Sequence, residues 1–353
     1  MNISDIDPNL AVQKLPDGKE VMWLNVKKEP FKLYGLYNPQ NEDVFKRLPD
    51  DVGKNVNSGV AFLYLHTSGG RVRFGTDSPF IAIRCKMPCV GAMPHMTLLG
   101  SSGFDLYTDS HSTSTYRASF IPGIDIKDGY TACADLNTQG ITCYTINFPL
   151  YNPVDELFIG VAPGSSITEG ERYCTPLPVV YYGSSITHGG CASRPGNAYP
   201  AIISRMLDCD FINLGFSGSA QGEELIAQYI AGLDMSVFVC DYDHNAPTSE
   251  HLLATHKRMY DIIRASKPEV PYIIVTKPDT DSSPSYALKR LKIARSTYEQ
   301  AVAAGDKNVR FVDGGELFGA ELRDCCTVDG CHPNDLGFAR MATGIGNAVA
   351  EFI

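Results

Sequence analysis

Four short stretches carry residue types that can act together in nucleophilic catalysis. Val179–Gly189 reads Val-Val-Tyr-Tyr-Gly-Ser-Ser-Ile-Thr-His-Gly, an apolar strand-like run that ends in small hydroxyl residues. A serine hydroxyl is a weak nucleophile. It needs a base, and the base needs a partner that orients it. Asp329-Gly330-Cys331-His332-Pro333 offers both from one loop, His332 as base and Asp329 as its partner. An acyl-transfer transition state also needs donors for its oxyanion. The Ser185 and Gly218 backbone N–H groups and the Asn245 side-chain amide are the candidates, from Asn213–Gly218 and Asp241–Asn245. Glycine at 218 permits close backbone approach.

Each assignment has a rival. Gly-Ser-Ser-Ile-Thr occurs twice, at 164–168 and at 183–187. The first copy leads into Glu169-Gly170-Glu171-Arg172 with no amphipathic helix behind it, so Ser166 reads as a surface turn and Ser185 as the nucleophile. Cys325, Cys326, Cys331 and His332 suggest zinc, but adjacent cysteines chelate poorly and no Cys-x-x-Cys pair exists. No metal or cofactor is expected. Arg194, His188 and His244 are candidate substrate contacts. The plainer readings are a surface ion pair for Arg194 and packing or solvent for the histidines. His66, His95 and His111 stand without chelating spacing and receive no role, and His256 falls on an apolar helical face with Leu252, Met259 and Ile263.

The elements that must position these groups follow from pattern. After Cys174, strands at Val179–Gly183, Asp210–Leu214, Val237–Asp241, Tyr272–Thr276 and Val309–Asp313 alternate with helices near 197–208, 222–232, 249–266, 284–304 and 335–352. Asn197 is the expected N-cap of the first helix. Ser283-Pro284 opens the fourth and Gly305 closes it. Such alternation predicts a mainly parallel sheet with helices on both faces, and ligands then bind at the carboxyl ends of the strands. Before Cys174 the chain shows short β-like runs, at Val21–Val26, Phe31–Tyr37, Val60–His66, Phe80–Cys85 and Tyr144–Phe148, broken by turn signals. That pattern predicts an antiparallel sandwich resembling a jelly roll. The expected units are residues 1–172 and 173–353.

Gly183-Ser184-Ser185-Ile186, Asn213–Gly218, Asn245 and Asp329-x-x-His332 resemble, in order, the four motif blocks of the SGNH hydrolases, or GDSL esterases. The resemblance implies a flavodoxin-like three-layer α/β domain with a five-stranded sheet. It implies Ser185 as nucleophile, His332 as base, Asp329 as its partner, and Gly218 and Asn245 as oxyanion donors beside the Ser185 N–H. Two positions depart from the family pattern: Ser184 replaces the usual Asp before the nucleophile, and Ala246 replaces the Asp after Asn245. The whole chain also resembles a subgroup with a β-sandwich before the SGNH domain, which includes bacterial carbohydrate acetylesterases.

Composition narrows the partners. Of 353 residues, 44% are hydrophobic and 20% charged, enough to bury a sizeable core. A formal charge of −10 argues against nucleic acid or an anionic membrane. Residues 1–5 lack an export pattern, and the eleven cysteines have no regular spacing, so a cytoplasmic enzyme is expected. The expected substrate is an acetylated oligosaccharide, such as a xylo-oligosaccharide, or another small ester. Alternatives are an acyltransferase using the same acyl-enzyme, a sugar-binding protein with a dead site, and a lipase at membranes. The oligomeric state is not legible in the sequence.

Overall fold

Among the described residues, eleven short strands precede Thr175, and their apolar faces meet in a common core. A computed structural model describes residues 12–110, 113–137 and 140–353; residues 1–5 and His111, discussed above, lie outside that range. The strands are β1 (Gln13–Lys14), β2 (Glu20–Asn25), β3 (Lys32–Tyr34), β4 (Arg71–Thr76), β5 (Phe80–Lys86), β6 (Phe104–Ser110), β7 (Thr113–Phe120), β8 (Gly129–Asp135), β9 (Thr142–Asn147), β10 (Glu156–Val161) and β11 (Ile167–Glu169). One antiparallel sheet runs β1-β2-β10-β5-β8, the other β11-β4-β9-β6-β7 with β3 on β4. The strands cross between sheets in the order of a jelly roll. Phe74, Ile81, Ile83, Leu106, Ile146 and Ile159 fill the space between the sheets.

Val60–His66 departs from expectation. It is a helix, Ser58–Leu63, because Asn57 caps it by accepting the Val60 N–H at 2.9 Å. A short apolar run cannot by itself distinguish strand from helix.

The second half forms a parallel sheet of β12 (Thr175–Gly183), β13 (Cys209–Gly215), β14 (Val237–Asp241), β15 (Tyr272–Val275) and β16 (Val309–Val312), in the order β13-β12-β14-β15-β16. Side chains alternate between its faces. Val180, Tyr182, Phe238 and Ile274 pack on one side; Val179, Tyr181, Val239 and Ile273 pack on the other. Helices Glu224–Ala231, Ser249–Ser266 and Pro284–Ala303 cover the first face or adjoin it, and Tyr199–Leu207 and Asp335–Ala350 cover the second. His256 is buried among the helices, its Nδ1 2.8 Å from Thr297 Oγ1.

Two helix ends differ from expectation. Asn197 lies in a 3₁₀ turn, Pro195–Asn197, and Ala198 precedes the helix, which carries Pro200 in its first turn. Ser283 precedes Pro284 as expected, but its side chain makes no capping bond; fixed proline φ sets that start. Gly305 takes the left-handed φ of 92° expected of a helix stop.

The halves meet through buried polar groups. Arg47, from the front half, donates to Leu63 O, His66 O, Asn213 O and Gly215 O. Among the described residues, no helix is long and apolar enough to cross a membrane.

Candidate active site

Ser185 lies two residues beyond the end of β12, at the carboxyl edge of the sheet. It opens a one-turn helix, Ser185–His188, and as its first residue has an N–H without an intrahelical acceptor. Ser184 caps this turn, its Oγ accepting the Ile186 N–H at 3.1 Å. The departure at Ser184 therefore keeps a side-chain acceptor at the cap. The turn is fixed from below: the Asp241 backbone oxygen accepts the Ser184 N–H at 3.2 Å, and Asp241 Oδ2 accepts the Thr187 hydroxyl at 3.0 Å. Burial, with Asp243 nearby, pushes the Asp241 carboxyl well above its ordinary value.

The structure brings Ser185, His332 and Asp329 together. Ser185 Oγ lies 2.9 Å from His332 Nε2, and His332 Nδ1 lies 2.8 Å from Asp329 Oδ2. Asp329 Oδ1 also accepts the Cys331 and His332 N–H groups, at 3.0 and 2.8 Å. Burial would raise the Asp329 carboxyl, but the N–H bonds from His332 outweigh it and hold the group below its ordinary value. An ionised Asp329 selects the tautomer with a proton on Nδ1 and a lone pair on Nε2, facing the serine. The loop is anchored by the Thr327–Pro333 bridge and by Asn334, which caps the helix Asp335–Ala350.

The oxyanion candidates lie on adjoining loops. Gly218 is exposed, with φ 67°, and its N–H has no partner among the described residues. Asn245 Nδ2 donates to Phe216 O at 3.0 Å, which ties the third block to the second and commits one of its two amide hydrogens. Ala246, where the family has Asp, is buried, and its carbonyl accepts Arg290 Nη2 at 2.7 Å.

The three proposed substrate contacts are corrected. Arg194 points to the front half: Nη1 donates to Asp105 Oδ2 at 3.0 Å and to the Tyr107 hydroxyl, with the Tyr116 ring 4.1 Å from the guanidinium. His188 is fully buried, stacked on Tyr151 at 4.1 Å, with Nε2 2.7 Å from Leu150 O. Burial, then Arg47 and His66, holds its imidazole well below its ordinary value. His244 turns inward, Nδ1 3.2 Å from Asp243 Oδ1 and Nε2 buried without a partner. For Arg194 and His188, packing against another element prevailed, which sequence proximity to a motif could not reveal. Ser166 is an exposed turn residue bonded to Asp77, as expected.

Sequence reasoning missed what the front half brings. Gly103-Phe104-Asp105-Leu106-Tyr107 holds the loop after the Ser185 turn: Asp105, fully buried, accepts from Asn147 Nδ2, Gly196 N and Arg194. Its alternating acid and aromatic on a strand were the available signal. His95 lies beside His332, ring centroids 5.6 Å apart, and nothing local marked it.

Comparison with known proteins agrees with this architecture. The GDSL-like lipase/acylhydrolase family model matches residues 177–349, and a model named GxDLY, the N-terminus of SGNH-hydrolase-type esterases, matches residues 21–167. Residues 177–349 thus belong to the GDSL-like lipase/acylhydrolase family, and residues 21–167 form the N-terminal domain of that esterase type. The five letters of the second name are met at Gly103–Tyr107.

Among solved structures, a GDSL-like lipase from Bacteroides ovatus is 26% identical, with a TM-score of 0.84 over 94% of this chain and 98% of that one. The salicylyl-acyltransferase SsfX3 from a tetracycline biosynthetic pathway is 18% identical, with a TM-score of 0.77 over 94% and 97%. A family two carbohydrate esterase from Clostridium thermocellum, in complex with cellohexaose, is 13% identical, with a TM-score of 0.62 over 91% and 98%. The last two establish the fold alone. No curated protein matches the chain by sequence.

Proposed function

We propose that the chain is a serine esterase that removes O-acetyl or other small acyl groups from carbohydrate, with oligosaccharides such as acetylated xylo-oligosaccharides as substrates. The observation that carries this is the unbroken Ser185–His332–Asp329 relay at the carboxyl edge of the sheet, 2.9 and 2.8 Å between members. Ser185 Oγ attacks the ester carbonyl while His332 Nε2 takes its proton. The oxyanion is held by the Ser185 and Gly218 N–H groups and the free hydrogen of the Asn245 amide. His332 returns the proton to the departing sugar oxygen. Water, activated by the same imidazole, then releases acetate and restores the serine.

The carbohydrate part of the reading draws support from the family two esterase from Clostridium thermocellum and from an acetyl xylan esterase of Butyrivibrio proteoclasticus, which share the fold. The eleven cysteines are free thiols, which supports a reducing, cytoplasmic setting. The substrate there is an imported oligosaccharide. A screen of acetylated xylan fragments, mannan fragments and monosaccharide acetates, with Ser185→Ala as control, tests the proposal. Acetate release no faster than in the control, across all of them, rejects it.

A second reading is acyl transfer, favoured by the greater overall likeness to SsfX3 than to the carbohydrate esterases. An alcohol then replaces water in the second half-reaction. Product analysis with and without a sugar acceptor separates the two: a new ester formed faster than free acid marks the transferase.

A further inference from the structure

Two further ligand-type side chains converge on the His332 imidazole, so that three separate segments meet there. His95 comes from the front half, Cys191 from the loop after the nucleophile turn, and His332 from the catalytic loop. One ligand atom of each lies within 4.8 Å of the other two. Neither His95 nor Cys191 has a hydrogen-bond partner among the described residues. Both are held in place. Met96, next to His95, is buried in the core beneath the nucleophile, and Thr97 Oγ1 donates to Ser193 O at 2.6 Å. Cys191 is buried, with its backbone at φ 74°, a left-handed conformation that a non-glycine residue seldom takes.

We propose that His95, Cys191 and His332 form a binding site for a thiophilic divalent cation, Zn²⁺, whose occupation switches the enzyme off. Two imidazoles and a thiolate suit zinc, and a fourth position is left for water. Tetrahedral ligation brings donors to about 3.5 Å of one another, so side-chain displacements of about an ångström close the site. On binding, the Cys191 S–H bond breaks, the Zn–S bond forms, and the proton goes to solvent. His332 has one nitrogen on Ser185 and the other on Asp329. Ligation through either displaces a catalytic partner, so the lone pair needed for proton transfer is lost. The binding claim is independent of the catalytic reading; only the inhibition rests on it.

The test uses the full-length protein. Equilibrium dialysis without substrate measures Zn²⁺ affinity for the parent, His95→Ala and Cys191→Ala. Co²⁺ serves as the spectroscopic probe, through its thiolate charge-transfer absorption in the near ultraviolet. One high-affinity Zn²⁺ per chain is expected. Loss of outer-shell partners alone costs about 10–100-fold in metal affinity, and loss of a direct ligand costs at least that. Both variants are expected to weaken binding by that factor, and Cys191→Ala to abolish the Co²⁺ band. With an acetate ester, Zn²⁺ inhibition reversed by chelator is expected in the parent and weakened by the same factor in the variants. His95 is exposed, so its replacement does not threaten the fold. Unchanged Zn²⁺ affinity in His95→Ala, or a Co²⁺ band that survives Cys191→Ala, overturns the site. Tight binding that leaves turnover untouched overturns the switch while keeping the site.

Discussion

Arg194 Nη1 sits 3.0 Å from Asp105 Oδ2, and the two residues belong to opposite halves of the chain. The carboxylate is fully buried, while the arginine side chain keeps 21% of its surface. Removing one partner of a buried pair leaves a charge without compensation, at a cost of about 3 kcal/mol or more. Asn147 and Gly196 still donate to Asp105, which places Arg194→Ala near the lower end. The expected result is a lower denaturation midpoint in urea with an unchanged KM for a small acetate ester. A raised KM at unchanged stability would restore Arg194 as a substrate contact.

Ser185→Ala is expected to abolish turnover and leave the unfolding transition in place. Asn245→Ala removes one oxyanion donor, an effect of about 10²–10³ in kcat. Because Asn245 also ties Phe216 to the third block by donating to its carbonyl, Asn245→Gln, which keeps an amide donor, is the better control for loop position. Steady-state hydrolysis of a chromogenic acetate at the parental rate in Asn245→Ala would remove the residue from the site.

Acid sensitivity follows from two buried imidazoles. Burial, then Arg47, holds His66 at about 3, and His188 is likewise depressed. The unfolded chain protonates both near pH ~6.5 while the folded protein resists, so the unfolded state binds more protons between the two values. The stabilising advantage is complete above pH ~6.5 and is lost as pH falls below it, by at most about 1.4 kcal/mol per unit for each imidazole. Urea unfolding measured at several pH values checks the slope. His66→Leu is expected to flatten it, since neither nitrogen of His66 has a partner to lose. An equal slope in the variant would assign the sensitivity to other groups.

Gly215 and Gly218 lie three residues apart and should respond differently to alanine. A Cβ at 215 would meet the His188 backbone nitrogen, and the Thr187 carbonyl carbon at 2.7 Å, backbone that cannot step aside. Overpacking of this kind costs about 1–3 kcal/mol or more. A Cβ at 218 meets nothing within 4 Å, so only the left-handed φ is strained, at about 1–2 kcal/mol. Gly215→Ala is expected to lose mainly stability. Gly218→Ala is expected to lose mainly kcat, through its displaced N–H. Calorimetry and kinetics on the pair separate these effects.

The parallel sheet was legible because each strand is an apolar run followed by helical periodicity, and Ser185, the candidate nucleophile, falls just beyond the end of one of them. Ser185, His332 and Asp329, which the structure brings within hydrogen-bond reach, could be picked out as a candidate set because a hydroxyl, an imidazole and a carboxylate leave chemical signatures in such a pattern. Long-range packing was not legible. Nothing beside Arg47 or His95 announces that they reach the other half, and Val60–His66 became a helix through a single cap at Asn57. Arg194 and His188 failed as substrate contacts for the same reason. Their neighbours in space come from Asp105, Tyr107, Leu150 and Tyr151, far away in sequence.

Arg47 gives this architecture a temporal consequence. Its guanidinium binds carbonyls at Asn213 and Gly215, which leave the ribosome more than 160 residues later. Domains generally fold in the order of synthesis. On that order, the front sandwich is expected to form before the glycine turn at 215 packs on it, so that the groups around Ser185 come together last.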